Sequence, residues 1–287
     1  MARTFIKTRA RELERALYDY DFEQGSPEAV INEIKTYQNE DGGFGRGLEP
    51  DFWCKESSAL ATSIALRHLA EVGASVTEEA VKNAIVYLLK TFDHEKMRWQ
   101  IVPKQVETEP RAVWWNYSED WAWGNPTAEI LGLLHHFKEL VPKDFLKELT
   151  EYAIRSINSL SEYEQHEFLC FIKLEKYLPL DDQLSIQEKL RRMAVESVTT
   201  NPEKWEGYCL LPLDVAFSPS SKFFDLFAEE IPINLDFIIK KQADVGFWDP
   251  TWTWGQYESE WKKAKEQWRG ILTLDYLKVL RAYDAIN

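Results

Sequence analysis

The sequence predicts an all-α chain, and three observations carry that prediction. Apolar residues recur at helical spacing along most of its 287 residues, with no convincing strand pattern between them. A turn element occurs twice, as Gln38-Asn39-Glu40-Asp41-Gly42-Gly43-Phe44 and as Gln242-Ala243-Asp244-Val245-Gly246-Phe247-Trp248. Each copy closes one apolar helix and leads, through an aromatic-rich loop, to another, which is the pattern of a helical repeat array. No Ser/Gly run, low-complexity tract or charge block divides the chain, so residues 1–287 are expected to form a single domain.

The elements follow in order. Phe5, Leu13 and Leu17 share a face of a first helix over about 4–20. Ser26 caps the next, with Pro27 at its first position, where a missing N–H costs nothing. A third helix runs from about 56 to 72. Ser75 and Glu78 form a capping-box pattern for the fourth, which carries Val81, Ile85, Leu88 and Leu89. Asn125-Pro126 starts the fifth. Helices are expected near 143–159, 162–177 and 182–198, the last capped by Asp181. The region 205–230 is broken by Pro212 and Pro219, with Asp214 as a cap or turn residue, and helices near 231–242 and 267–283 finish the chain. Paired antiparallel, these pieces make a ring of about six helical hairpins. The long links at 42–56, 93–124 and 244–267 then gather at one mouth.

In the turns, glycine supplies the positive φ that ends a helix, and Asp41 and Asp244 can accept backbone N–H groups two residues on. Gln38 and Gln242 are placed to bridge to a neighbouring helix end. A weaker third copy runs from Lys90 through Trp99 to Trp123-Gly124-Asn125-Pro126-Thr127-Ala128.

The Gln-x-x-Asp-Gly-Gly-Phe element, followed by the Ser58–Leu66 helix, resembles the QW-type repeats of the terpenoid cyclase and protein prenyltransferase superfamily. The segment from Gln242 through Trp268-Arg269-Gly270-Ile271-Leu272-Thr273 resembles them as well. The resemblance implies a single α/α toroid with a largely apolar, isoprenoid-like ligand in its central cavity. The superfamily's Asp-x-Asp-Asp, Asp-Asp-x-x-Asp and zinc-site patterns are absent from the chain, so the resemblance implies binding without specifying a reaction.

Composition narrows the partners. A formal net charge of −14 opposes phosphate backbones and anionic membranes, so neither nucleic acid nor a membrane is an expected partner. Cys54, Cys170 and Cys209 are odd in number and widely spaced, which fits free thiols in a reducing compartment. No signal-peptide pattern opens the chain and no apolar stretch has bilayer length, so a cytoplasmic protein without a cofactor or metal is expected.

The 12 tryptophans concentrate in the long links, interleaved with carboxylates, where polar turn residues are the rule. They either cap the core or line a binding site. For the site, the candidate ligand-binding residues are Glu49, Trp53, Arg111, Trp115, Tyr117, Trp121, Trp123, Trp252, Trp254 and Tyr257, and the candidate catalytic carboxylates are Asp51, Asp120 and Asp249. Aromatic faces with acids suit an isoprenoid through cation–π stabilisation, or a sugar through ring stacking and a carboxyl pair. A flat exposed aromatic patch would instead mark a protein-interaction module.

Overall fold

The computed structural model describes residues 1–286. It is all-α: twelve α-helices, short 3-10 turns and only isolated β-bridges among the described residues. The helices are α1 (Ala2–Arg9), α2 (Glu12–Phe22), α3 (Pro27–Lys35), α4 (Ala59–Glu71), α5 (Glu79–Thr91), α6 (Gly124–His136), α7 (Lys143–Ser159), α8 (Gln165–Glu175), α9 (Leu180–Ser197), α10 (Pro212–Val215), α11 (Ile231–Lys241) and α12 (Glu258–Ala282). The chain divides into two compact units, residues 27–190 and residues 1–26 with the chain from Arg191 onward; the boundary falls inside α9.

Several expected boundaries shift for local reasons. The helix expected over 4–20 is two helices, because Ala10 and Arg11 are extended (ψ 164° and 159°). Ser58, not Glu56, opens α4, its hydroxyl accepting the Ala61 N–H at 2.9 Å. The capping box expected at Ser75 and Glu78 does not form: Ser75 Oγ accepts from Thr77 N, and Glu78 pairs with Lys35 at 2.5 Å. Asp181 lies inside α9 rather than capping it. The last helix starts at Glu258, well before 267, so Glu258 and Trp261 are helical rather than loop residues.

Hydrogen bonds define the repeat more sharply than the sequence does. In the first copy Asn39 N–H donates to Gly43 O (2.9 Å), and the next residue, Phe44, donates its N–H to Thr62 Oγ1 on α4 (3.0 Å). In the second, Asp93 N–H donates to Arg98 O (2.9 Å) and Trp99 N–H to Thr127 Oγ1 on α6 (3.3 Å). Near the C-terminus Ala243 N–H donates to Phe247 O (2.9 Å) and Trp248 N–H to Thr273 Oγ1 on α12 (3.4 Å). The 199–211 segment follows a different rule: Thr199 N–H donates to Leu210 O (2.8 Å), and Leu211 N–H is taken locally by Asp214 Oδ2, three residues on at the start of α10 (2.7 Å). Each link satisfies the backbone donor that leaves the turn, which burial would otherwise penalise. Thr62→Val keeps the volume and removes the acceptor. It is expected to cost about 1–3 kcal/mol in urea unfolding, the price of an orphaned buried N–H.

The glycine turns align on Gly42 and Gly246, at φ +90° and +99°. That register pairs Asp41 with Val245 rather than with Asp244. Asp41 accepts the Gly43 N–H at 3.0 Å, as expected of it, whereas Asp244 is exposed. Gln38 does bridge to a helix end, donating to Gly42 O (2.9 Å) and to Ala80 O at the start of α5 (3.0 Å).

In the 27–190 unit, α4, α6 and α8 lie side by side. α6 and α8 run parallel: Gly124 N–H bonds Glu167 near the start of α8 (2.8 Å), while Gly132 meets Lys173 and Leu174 near its end. Glu129 on α6, 4% exposed, binds Arg67 of α4 at 2.7 Å and Lys173 of α8 at 2.8 Å. In the other unit α12 packs on α1 and α2, and α10 on α11. No helix among the described residues is long and apolar enough to cross a membrane.

Candidate functional site

The predicted site residues fall in both units. In the 27–190 unit the two long links are stitched together. Glu49 and Asp51 are buried, and Glu49 Oε1 accepts the Asp51 N–H at 3.2 Å. Asp51 O takes the Ala112 N–H (2.8 Å), and Trp53 N–H donates to Pro110 O (2.9 Å) while its indole donates to Pro50 O (3.1 Å). Arg111 organises its own loop, donating to Asn116 Oδ1 at 2.8 Å and to the carbonyls of Val106, Glu107 and Glu109.

Trp115, Tyr117 and Trp121 pack on a buried cluster of Phe52, Cys54, Leu60, Ile101, Val102 and Val106. The Trp115 and Trp121 ring centroids are 6.0 Å apart. Arg98 holds this loop through the carbonyls of Glu119 and Trp121. Asp120 beside it is exposed, its N–H on Ser118 Oγ at 3.0 Å. Trp123 turns away to Met97 O (2.7 Å) and the Phe171 ring. The fold thus brings together Asp51, Glu49, Trp53 and Arg111, with Trp115, Tyr117 and Trp121 on the adjoining apolar cluster.

Asp249, Trp252, Trp254 and Tyr257 belong to the other unit. Asp249 is bound by Arg269 (2.8 Å) and Lys265 (3.2 Å). Burial pushes its carboxyl up, but those two cations outweigh it and hold the group below the usual carboxylate range. Trp254 is fully buried against Trp261. Tyr257 adopts φ 50° at the entry to α12 and is exposed. Trp252 packs edge-on to Trp268 (5.0 Å) and to Tyr208 (5.9 Å).

Two buried indoles lack the acceptor that five others have. Trp53, Trp99, Trp123, Trp205 and Trp248 each donate Nε1–H to a backbone carbonyl. The buried Nε1 atoms of Trp121 and Trp252 meet no protein acceptor. Both residues were candidate ligand contacts on sequence grounds.

Asp214 is exposed between buried residues on either side, Leu210–Leu213 and Val215–Ala216. Burial nevertheless raises its carboxyl to about 6, against the Leu211 N–H that lowers it, and nearby Asp275 raises it further. Asp214 acts as the helix-start cap that the Leu-Pro-Leu-Asp sequence suggests, its Oδ2 accepting the Leu211 N–H at 2.7 Å.

Among the described residues no group of three or more His, Cys, Asp or Glu side chains could hold a metal ion. Comparisons with family models, curated proteins and solved structures find no match to the chain. The fold and the site therefore define a class, an all-α repeat protein with aromatic clusters in its long links, and its function is argued from the residues themselves.

Proposed function

We propose that this chain binds a hydroxyl-rich small molecule of the carbohydrate class, using the aromatic clusters of the long links of an α/α-toroid-like repeat array. The carrying observation is the pair of indole donors, Trp121 and Trp252, that are buried without a protein acceptor inside aromatic clusters. A buried N–H without a partner is costly, and a ligand hydroxyl supplies the acceptor that a hydrocarbon lacks. Ring faces beside such donors suit the stacking of a sugar.

The isoprenoid reading is the second one. It draws support from the turn-to-threonine links at Thr62, Thr127 and Thr273, which give the QW-like turns a regular three-dimensional role. A ligand-binding protein need not be an enzyme, and this reading assigns no reaction.

Thermal shift tests the choice, because a ligand bound only by the native state raises the melting temperature. Neutral oligosaccharides are expected to raise it, and isoprenoid diphosphates and neutral polyprenyl compounds to leave it unchanged. Trp252→Phe keeps the ring and removes the donor, and is expected to weaken oligosaccharide binding about 10-fold, the worth of one hydrogen bond. Stabilisation by isoprenoids alone would transfer the function to the second reading.

A further inference from the structure

Two copies of the repeat match in more than their turns. In the 27–190 unit the residue leaving the turn is Trp99. Its backbone N–H goes to Thr127 Oγ1 (3.3 Å) and its indole N–H to Leu88 O on the preceding helix, α5 (2.7 Å). In the other unit the residue leaving the turn is Trp248. Its backbone N–H goes to Thr273 Oγ1 (3.4 Å) and its indole N–H to Ile238 O on the preceding helix, α11 (2.7 Å). Backbone and side chain are thus anchored alike in both copies. The link that follows each anchored tryptophan then holds one buried indole donor without a protein acceptor, Trp121 after Trp99 and Trp252 after Trp248.

The first copy supplies the contrast. Phe44 stands where the other two have tryptophan, and its link carries Trp53, whose indole N–H is taken by Pro50 O at 3.1 Å. The spare donor therefore goes with the anchored tryptophan. In both copies that donor also sits among other rings. Trp121 lies 6.0 Å from Trp115, on the cluster that Tyr117 joins. Trp252 lies 5.0 Å from Trp268 and 5.9 Å from Tyr208, which is 54% exposed. Trp121 and Trp252 are themselves half-buried, so part of each ring meets solvent.

We infer that the chain binds two carbohydrate molecules at once, one in each of these links, as two sites of one repeated design. This rests on the carbohydrate reading above and adds the number and the placement of the sites. In each site an indole face stacks on a sugar ring, and the Nε1–H donates to a hydroxyl oxygen of the sugar. The aromatic walls are separate: Trp115, Tyr117 and Trp121 belong to the 27–190 unit, and Tyr208, Trp252 and Trp268 to the other. No side chain named in one site is needed by the other, so the two fill independently.

The test is equilibrium dialysis of the full chain against maltotetraose, cellotetraose and N-acetylchitotetraose, each carried to saturation. At least one is expected to bind at two equivalents per chain. Trp121→Phe and Trp252→Phe keep an aromatic ring and remove the donor. Each should leave one equivalent at the parent Kd and weaken the other about 10-fold, the worth of one hydrogen bond. The double variant should weaken both. Trp99→Phe removes a donor that Leu88 O already takes, so it should lower the melting temperature and still bind two equivalents. Saturation at one equivalent would overturn the second site and leave the carbohydrate reading standing. Two equivalents that neither Trp121→Phe nor Trp252→Phe weakens would overturn the placement. No binding of any of these oligosaccharides would remove both the two sites and the carbohydrate reading.

Discussion

Gly42→Ala is expected to cost about 3–5 kcal/mol, among the largest losses available to a single methyl group in this chain. Two penalties coincide. Gly42 sits at φ +90°, where an L side chain is strained, and a Cβ there would lie 2.5 Å from the Asn83 carbonyl oxygen. That contact is backbone, so no side-chain rotation relieves it. The turn would have to move, and with it the Gln38 bonds to Gly42 O and Ala80 O. Urea unfolding of Gly42→Ala beside Gly73→Ala separates the two penalties. Gly73 has φ +71° with nothing within 4 Å, so its substitution carries strain alone, about 1 kcal/mol. Equal losses at the two sites would show that close approach at the turn is unimportant.

Glu129→Ala is expected to cost about 3 kcal/mol, the lower end for breaking a buried ion pair, because Arg67 and Lys173 stay partly solvated. The carboxylate joins three helices, and its loss leaves two cations at one place with no shared anion. Burial pushes the Glu129 carboxyl up, but Lys173 and Arg67 outweigh it and bring it below its ordinary 4.5. A depressed acid contributes stability at neutral pH. That contribution starts to fall as pH drops below about 4.5 and is gone once the folded carboxyl is protonated. The parent should therefore lose stability on acidification more steeply than Glu129→Ala, and parallel acid profiles would show that the carboxylate carries no net stabilisation.

Much of the fold was legible locally. Helix periodicity, Pro27 and the two glycine turns act within a few residues, so their positions follow from the chain alone. Boundaries slipped where a tertiary partner decided them. Lys35 takes Glu78 away from the Ser75 capping pattern, and α12 extends back to Glu258 although the 244–267 link reads as loop. The aromatic loops were also legible as unusual. Which indoles are structural was not, because that depends on where each Nε1 finds a carbonyl: Trp123 finds Met97 O, whereas Trp121 finds none.

The sequence by itself determined the all-α class and the two glycine turns, because 3.6-residue periodicity and positive-φ glycine are properties of the chain's own covalent geometry. It also singled out the tryptophan-rich links. Only the tertiary structure decided that three turns share one hydrogen-bond rule, each handing the N–H that leaves it to a threonine on a later helix. Those threonines lie 18, 28 and 25 residues beyond the N–H groups they accept, so the pairing depends on how the helices pack.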